Sequence, residues 1–116
     1  MKQLLLIRHA KSSWADPELS DHQRPLNNRG KRSIELIAKQ LKKQHLNVDV
    51  LYSSSARRAR DTAEGLAVAI SADADVDMVE GLYSFDWQPL WDFLTTLPEH
   101  LHSVALIGHN PALLDL

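Results

Sequence analysis

Short apolar runs alternate with segments of helical periodicity along this 116-residue chain. The strand-like runs occupy residues 3–7, 48–52, 75–79 and 103–107. Between them, apolar side chains recur every three or four residues, which is the spacing of one helix face. Strands that alternate with helices need crossover connections, and such connections give a mostly parallel sheet covered by helices on both faces. The pattern therefore predicts an α/β fold.

The intervals between the strands predict three helices. The first follows Asn27, a residue type that caps helix N-termini, and the third begins near Pro89, which suits a first helical turn. Apolar faces are predicted from the residues at helical spacing: Ile34, Ile37, Ala38 and Leu41 in the first helix, Ala59, Ala63, Leu66, Ala67 and Ile70 in the second, and Leu90, Phe93, Leu94 and Leu97 in the third. The continuous apolar run at residues 3–7 predicts a strand buried on both faces.

The length of 116 residues suits one domain, spanning residues 1–116. Because the sequence stops at Leu116, just where Pro111 should start another helix, we expect this domain to be incomplete at its C-terminal end. The formal net charge of -2 argues against a nucleic-acid partner. The chain contains no cysteine and no apolar run near the ~18 residues of a membrane span, and the opening run from Met1 is interrupted by Arg8 and His9, unlike a signal peptide. We expect a cytoplasmic protein without membrane association.

Basic side chains follow three of the predicted strands. Arg8 and His9 end the first, the helix after the second carries Arg57, Arg58 and Arg60 in its first turns, and His109 follows the fourth. Ligands of such folds bind beyond the carboxyl ends of the parallel strands, so the two histidines and at least one arginine should meet at one rim. Arginines bind phosphate through two donors, and a neutral imidazole beside them can act as a nucleophile. A covalent phosphohistidine would then divide one displacement into two easier ones, without a metal or cofactor.

Four motifs resemble those of the histidine phosphatase superfamily, and of its SixA-type phosphohistidine phosphatases in particular. They are LLIRHAKSSW at residues 5–14, DHQRPL at residues 21–26 with Gly30 after it, SSARRARDT at residues 54–62, and LIGHNP at residues 106–111. The four motifs follow the order of the family and cover nearly the whole chain, which makes the resemblance specific.

The resemblance implies a phosphoglycerate-mutase-like three-layer α/β/α sandwich that lacks its last helix and strand. It also implies roles for four residues. His9 would be the nucleophile, Arg8 and Arg58 would bind the phosphate, and His109 would complete the pocket. Ala10 departs from the usual glycine of the superfamily, as it often does in the SixA group.

Other residues are weaker candidates. Glu80 is a candidate proton donor, because superfamily members carry a carboxylate in this region, but an ordinary loop carboxylate is an equal alternative. Ser12 is expected to donate a hydrogen bond to the phosphate. Arg24 either contacts substrate or stabilises its loop through Asp21, and we favour the second role.

Two further assignments concern residues near these motifs. Arg57 is the alternative to Arg58 as the phosphate ligand. Trp14 is close enough to His9 in sequence to line the pocket, although tryptophans are more often packing residues.

The sequence therefore predicts a metal-independent phosphatase that removes phosphate from phosphohistidine on a protein. A small-molecule phosphomonoesterase or phosphoglycerate mutase of the same superfamily is one alternative, and a non-catalytic phosphate-dependent binding module is another. The expected partner is a phosphorylated protein, and a second copy of the chain could complete the C-terminal edge as a homodimer.

Overall fold

A parallel sheet of four strands forms the centre of the structure, a computed structural model that describes residues 3–70 and 76–116. The strands are β1 (Gln3–Arg8), β2 (Val50–Ser54), β3 (Val76–Val79) and β4 (Ser103–Gly108), and their order across the sheet is β1-β4-β2-β3. Every pairing is parallel, and all six residues of the internal strand β4 are buried. Asp75, the first residue of the predicted third strand, lies outside the described residues, as do Met1 and Lys2.

Helices cover both faces of this sheet, as the α/β prediction requires. They are α1 (Asn28–Lys43), α2 (Arg57–Ile70), α3 (Trp87–Thr95) and the short α4 (Ala112–Asp115). On one face α2 packs against the sheet through a cluster of buried side chains: Leu51, Ala59, Ala63, Ala67, Ile70, Ala105 and Ile107. On the other face α3 and α4 contribute to a second cluster: Leu82, Leu90, Leu106, Ala112 and Leu113. The predicted three-layer α/β/α sandwich is confirmed.

The helix starts follow the predicted signals. The Asn27 side chain accepts a hydrogen bond from the Gly30 backbone N–H at 2.8 Å and so caps α1. A methyl group at Gly30 would overlap the carbonyl oxygen of Lys11, so only glycine allows the loop after β1 to lie this close to α1. Pro89 lies in the first turn of α3, and α4 begins directly after Pro111.

The first strand is not buried on both faces, contrary to the prediction. Leu5 and Ile7 pack against the α2 side of the core, whereas Leu4 and Leu6 are 39% and 38% exposed. The strand β1 lies at the edge of the sheet with β4 as its one described neighbour, and in the described part of the chain no helix packs over the face that carries Leu4 and Leu6. An edge strand with exposed leucines is a surface that another strand can pair with. The homodimer predicted to complete the C-terminal edge stays a prediction.

Two helix assignments also need correction. Ile37 is 44% exposed although it was predicted on the buried face of α1. Three residues of helix rotate the side chain about 60° away from Ile34, and α1 buries only a narrow stripe against α2. The third helix ends at Thr95, so Leu97 follows the helix and does not extend its apolar face.

The register of the sheet positions the functional rim. Arg8 lies opposite Gly108, and the backbone N–H of His9 donates to the Gly108 carbonyl at 3.1 Å. His9 and His109 therefore leave neighbouring strands at the same level. None of the helices in residues 3–70 and 76–116 is both long enough and apolar enough to cross a membrane.

Candidate active site

The structure brings His9, Arg58 and His109 together at the carboxyl ends of the strands. The two imidazole rings have centroids 5.0 Å apart. The Nε of Arg58 lies 3.4 Å from Nε2 of His9, and its Nη2 lies 3.5 Å from Nδ1 of His109. The predicted meeting of residues that are distant in sequence is therefore present in the fold.

The hydrogen bonds of His9 define the tautomer of its ring. Its Nδ1 lies 2.7 Å from the carbonyl oxygen of Ala10. Because a carbonyl can only accept, we assign the ring proton to Nδ1, which leaves a lone pair on Nε2. The Ala10 backbone is in turn fixed by Thr62, whose Oγ1 accepts from the Ala10 N–H at 2.9 Å and donates to the Arg58 carbonyl at 2.7 Å.

The environment of His9 favours its neutral form. Burial lowers the pKa of His9, and the positive charges of Arg58, Arg8 and Arg24 lower it further, against the opposing effect of the hydrogen bond to Ala10. A neutral ring with an available Nε2 is the form that can attack phosphorus.

Arg58 is held by Asp21, a contact that the sequence analysis did not predict. The buried guanidinium donates from Nη1 to the Asp21 carbonyl at 2.6 Å and from Nη2 to Asp21 Oδ2 at 2.9 Å. Tyr83 donates from its hydroxyl to the same Oδ2 at 2.6 Å, and Arg24 donates to Oδ1 at 2.9 Å. One carboxylate therefore orients two arginines.

Asp21 is ionised in this network. Desolvation acts to raise the pKa of Asp21, but hydrogen bonds from Tyr83 and Arg58 together with the Arg58 charge outweigh it and lower the pKa to about 2. The DHQRPL motif marked Asp21 only as a partner of Arg24. Tyr83 lies 62 residues further along the chain and belongs to none of the four motifs, so no local pattern indicated it.

His109 is almost completely buried and neutral. Its Nε2 lies 2.8 Å from Ser54 Oγ, which also accepts from the Ala56 backbone N–H at 3.2 Å. The rings of Tyr83 and Phe85 pack against it with centroid distances of 5.5 and 5.3 Å. Burial, followed by the charges of His9 and Arg58, lowers the pKa of His109 to about 3.

A cavity of about 580 Å³ that opens to solvent lies beside His9, Asp21 and Arg58, and His109 is not one of its lining residues. Its lining contains four cationic side chains and one carboxylate among ten residues: Arg8, His9, Lys11, Ser12, Trp14, Asp21, Arg24, Arg58, Phe85 and Asn110. Cationic groups in excess over carboxylates, several of them fork-shaped donors, suit a doubly charged phosphate. The cavity can therefore bind a phosphoryl group next to Nε2 of His9, the ring nitrogen that carries the lone pair.

The remaining predicted residues differ in their positions. Ser12 lines the cavity, and its Oγ accepts a hydrogen bond from Arg24, so its own hydrogen is available to an anion. Arg24 is buried between Asp21 and the Ser13 carbonyl, in agreement with the loop-stabilising role. Glu80 is exposed, begins a short 3-10 turn after β3 and is not brought to this cavity.

Arg57 and Arg58 face different surroundings. Arg57 is exposed and forms a long ion pair of 3.8 Å with Asp61 of its own helix, whereas the side chain of Arg58 is only 3% exposed. The choice of Arg58 over Arg57 as the inward-pointing arginine is thus the one that the geometry supports. In the described ranges 3–70 and 76–116, no three His, Asp or Glu side chains are grouped as metal ligands. The prediction of metal-independent chemistry stays a prediction.

Known proteins resemble this chain in sequence and in fold. It is 35% identical over 98 residues to phosphoserine phosphatase 1 of Hydrogenobacter thermophilus, covering 72% of this chain and 42% of that protein. It is 33% identical over 118 residues to an uncharacterised chloroplastic protein of Arabidopsis thaliana, covering 94% of this chain and 54% of that protein. The chain thus spans about half the length of these two relatives.

Solved structures give the same assignment. A SixA protein from Agrobacterium tumefaciens superposes with a TM-score of 0.85 at 30% identity, covering 96% of this chain and 71% of that one. The protein histidine phosphatase SixA complexed with tungstate superposes with a TM-score of 0.82 at 26% identity, covering 95% of this chain and 70% of that one. The family model of the histidine phosphatase superfamily, branch 1, matches residues 4–101. With this match and the cationic rim around His9, the chain belongs to the histidine phosphatase superfamily.

Proposed function

We propose that this chain is a phosphatase that removes phosphate from phosphohistidine on a protein, with His9 as the nucleophile. The observation that carries the proposal is the orientation of His9. Its Nδ1–H is bound to the Ala10 carbonyl, and its Nε2 lone pair faces the guanidinium of Arg58 inside a cationic cavity. A nucleophile with a fixed tautomer next to a phosphate-binding arginine is positioned to attack phosphorus.

The proposed reaction has two displacements. In the first, Nε2 of His9 forms a bond to phosphorus, the bond from phosphorus to the substrate nitrogen breaks, and the leaving imidazole takes up a proton from solvent. In the second, water attacks phosphorus, the bond to Nε2 breaks, and inorganic phosphate leaves with the oxygen and one proton of that water while the other proton passes to solvent. Because imidazole is a better leaving group than an alkoxide, the first step depends less on a strong general acid.

The surrounding side chains bind the charge on the transferred group. Arg8, Arg58 and Ser12 are proposed to donate to the non-bridging oxygens, where stabilising the developing charge provides most of the catalysis. Because an arginine can only donate, the contact of Arg58 Nη2 with His109 Nδ1 at 3.5 Å places the proton of neutral His109 on Nε2, from which it is donated to Ser54 Oγ. His109 is therefore proposed to complete the pocket by holding Arg58 in place.

The substrate class rests on the similarity to SixA proteins, two of which cover almost the whole of this chain. A small-molecule phosphomonoester is the second candidate, because the phosphoserine phosphatase of Hydrogenobacter thermophilus is also related at 35% identity. The cationic cavity fits the phosphoryl group of either substrate.

A comparison of substrates tests the proposal. Release of phosphate from a phosphohistidine-carrying protein should exceed release from phosphoserine by at least about tenfold in kcat/KM, a difference of about 1.4 kcal/mol in activation free energy. His9→Gln should abolish both activities, whereas His100→Gln, a change of an exposed histidine, should leave them unchanged. Faster turnover of phosphoserine than of phosphohistidine would support the small-molecule alternative, and undiminished activity of His9→Gln would refute the mechanism.

A further inference from the structure

Two aromatic side chains at the phosphate cavity have no role in holding the phosphate. Trp14 is 76% exposed and Phe85 is 49% exposed, and both line the cavity. Large aromatic rings gain free energy when they are removed from water, so exposed rings beside a binding site are typical of a surface that a ligand covers.

Each ring is fixed by its own contacts. The guanidinium carbon of Arg24 lies 3.1 Å from the ring centroid of Trp14 and covers one face, while the high exposure of Trp14 leaves the other face open. Arg24 is itself held by Asp21 and by the Ser13 carbonyl. One face of the indole is therefore packed against a buried, hydrogen-bonded guanidinium.

Phe85 extends a series of rings that begins at the nucleophile. The His9 ring lies 5.0 Å from His109, and His109 lies 5.3 Å from Phe85. Tyr83 supports Phe85 from the side at 6.0 Å. A leaving group that is attached to phosphorus beside His9 and points out of the cavity would therefore lie next to the exposed phenyl ring of Phe85.

We propose that Trp14 and Phe85 form a subsite for a planar aromatic leaving group attached to phosphorus, such as the imidazole of phosphohistidine. The inference rests on the proposed function and adds the residues that recognise the leaving group. Arginines and Ser12 bind the phosphoryl group of any substrate, whereas the two rings distinguish a flat aromatic substituent from an alkyl one. Aromatic pairs contribute beyond the area that they bury, by an amount equal to about fivefold in affinity.

Binding of three phosphonates, which are not hydrolysed, tests the subsite on the intact chain. Phenylphosphonate should bind about fivefold more tightly than cyclohexylphosphonate, which is similar in size and apolar but not planar. Methylphosphonate carries no ring, so its affinity measures binding by the phosphate-binding side chains alone. Dissociation constants from calorimetry, with thermal unfolding to check each variant, give the comparison.

Variants assign the preference to the two rings. Phe85→Leu and Trp14→Leu should each reduce the preference for phenyl over cyclohexyl towards one and change methylphosphonate affinity by less than about twofold. Phe85→Tyr and Trp14→Phe keep a ring and should retain the preference. Trp91→Leu is the matched control, since Trp91 is 50% exposed on α3 and is not a lining residue of the cavity.

Three outcomes would overturn the inference. They are equal binding of phenyl and cyclohexyl phosphonates, an equal loss of affinity for all three ligands in the leucine variants, and no detectable binding of any phosphonate. Because these measurements need no turnover, they are independent of the hydrolysis assay. A chain that prefers phenylphosphonate but fails to hydrolyse phosphohistidine would refute the proposed function and keep the subsite.

Discussion

Asp21 binds Arg58 through two atoms, accepting hydrogen bonds from the guanidinium with its main-chain oxygen at 2.6 Å and with Oδ2 at 2.9 Å. The contact joins the loop after β1 to the start of α2 and fixes the direction of the arginine fork. Tyr83 adds a third hydrogen bond to the same carboxylate. The guanidinium of Arg58 is therefore oriented before any anion binds, which lowers the entropic cost of phosphate binding.

Removing this carboxylate should weaken phosphate binding. Asp21→Ala is expected to reduce the affinity for inorganic phosphate by about tenfold, because hydrogen bonds to charged groups contribute about 1.5–3 kcal/mol each and two arginines lose their partner. Tyr83→Phe should have a smaller effect in the same direction. Asp16→Asn, a change in the exposed part of the same loop, is the control for calorimetric titrations. A gain in affinity in Asp21→Ala would mean that Asp21 competes with the phosphate instead of positioning its ligand.

The low pKa of His109 makes stability depend on pH. Its pKa is about 3 in the folded chain against 6.5 in the unfolded one, so between these values the unfolded state binds more protons. Stability from this residue is complete above about pH 6.5 and is lost as the pH falls towards 3. His109→Gln should remove this component, giving a melting temperature that falls less steeply between pH 7 and pH 4.

The measurement is thermal unfolding of both proteins across that range. His102→Gln, a change of an exposed histidine, should keep the parental slope. Parallel curves for the parent and His109→Gln would show that His109 is protonated alike in both states.

Glu80 provides a test of the proton-donor assignment. The side chain is exposed and is not brought to the cavity, so Glu80→Gln should change the rate on a phosphohistidine protein by less than about twofold. General acids contribute about 10²–10⁴-fold where they act. A loss of that size, with a pH profile that loses its basic limb, would establish Glu80 as the donor after movement of its turn.

The exposed edge of β1 predicts self-association. Leu4 and Leu6 are exposed on an edge strand, and a second copy that pairs with this strand through backbone hydrogen bonds would place its own leucines beside them. Analytical ultracentrifugation should show a concentration-dependent dimer that Leu4→Lys disrupts, whereas Val68→Lys, at an 81% exposed position on α2, does not. A monomer at every concentration would remove the homodimer from the account.

The parts of the fold that depend on local pattern were predictable from sequence. Asn27 is followed by helical spacing and caps α1, and the buried run at residues 103–107 is an internal strand. The meeting of His9 and His109 with an arginine of α2 was also predictable, because parallel strands bring their carboxyl ends to one edge, and the family motif selected Arg58 as that arginine. The exposure of Leu4 was not, since a continuous apolar run does not reveal which strand lies at the sheet edge.

Contacts between residues that are far apart in the sequence could not be predicted from it. The hydrogen bond from Tyr83 to Asp21 joins two loops that have no periodic sequence pattern. The stacking of Trp14 on Arg24 depends on the path of the polar loop after β1. Glu80 shows the opposite case, because its place in the family pattern made it a candidate proton donor whereas the turn after β3 leaves its side chain exposed. Tertiary geometry decides each of these positions.

The nitrogen of His9 that carries the phosphoryl group tests the central claim most directly. After brief exposure to a phosphohistidine protein, intact mass should show one added phosphoryl group, and ³¹P–¹⁵N NMR should place it on Nε2 of His9. The hydrogen bond from Nδ1 to the Ala10 carbonyl at 2.7 Å requires this result. A phosphoryl group on Nδ1, or one that persists in His9→Gln, would contradict the account.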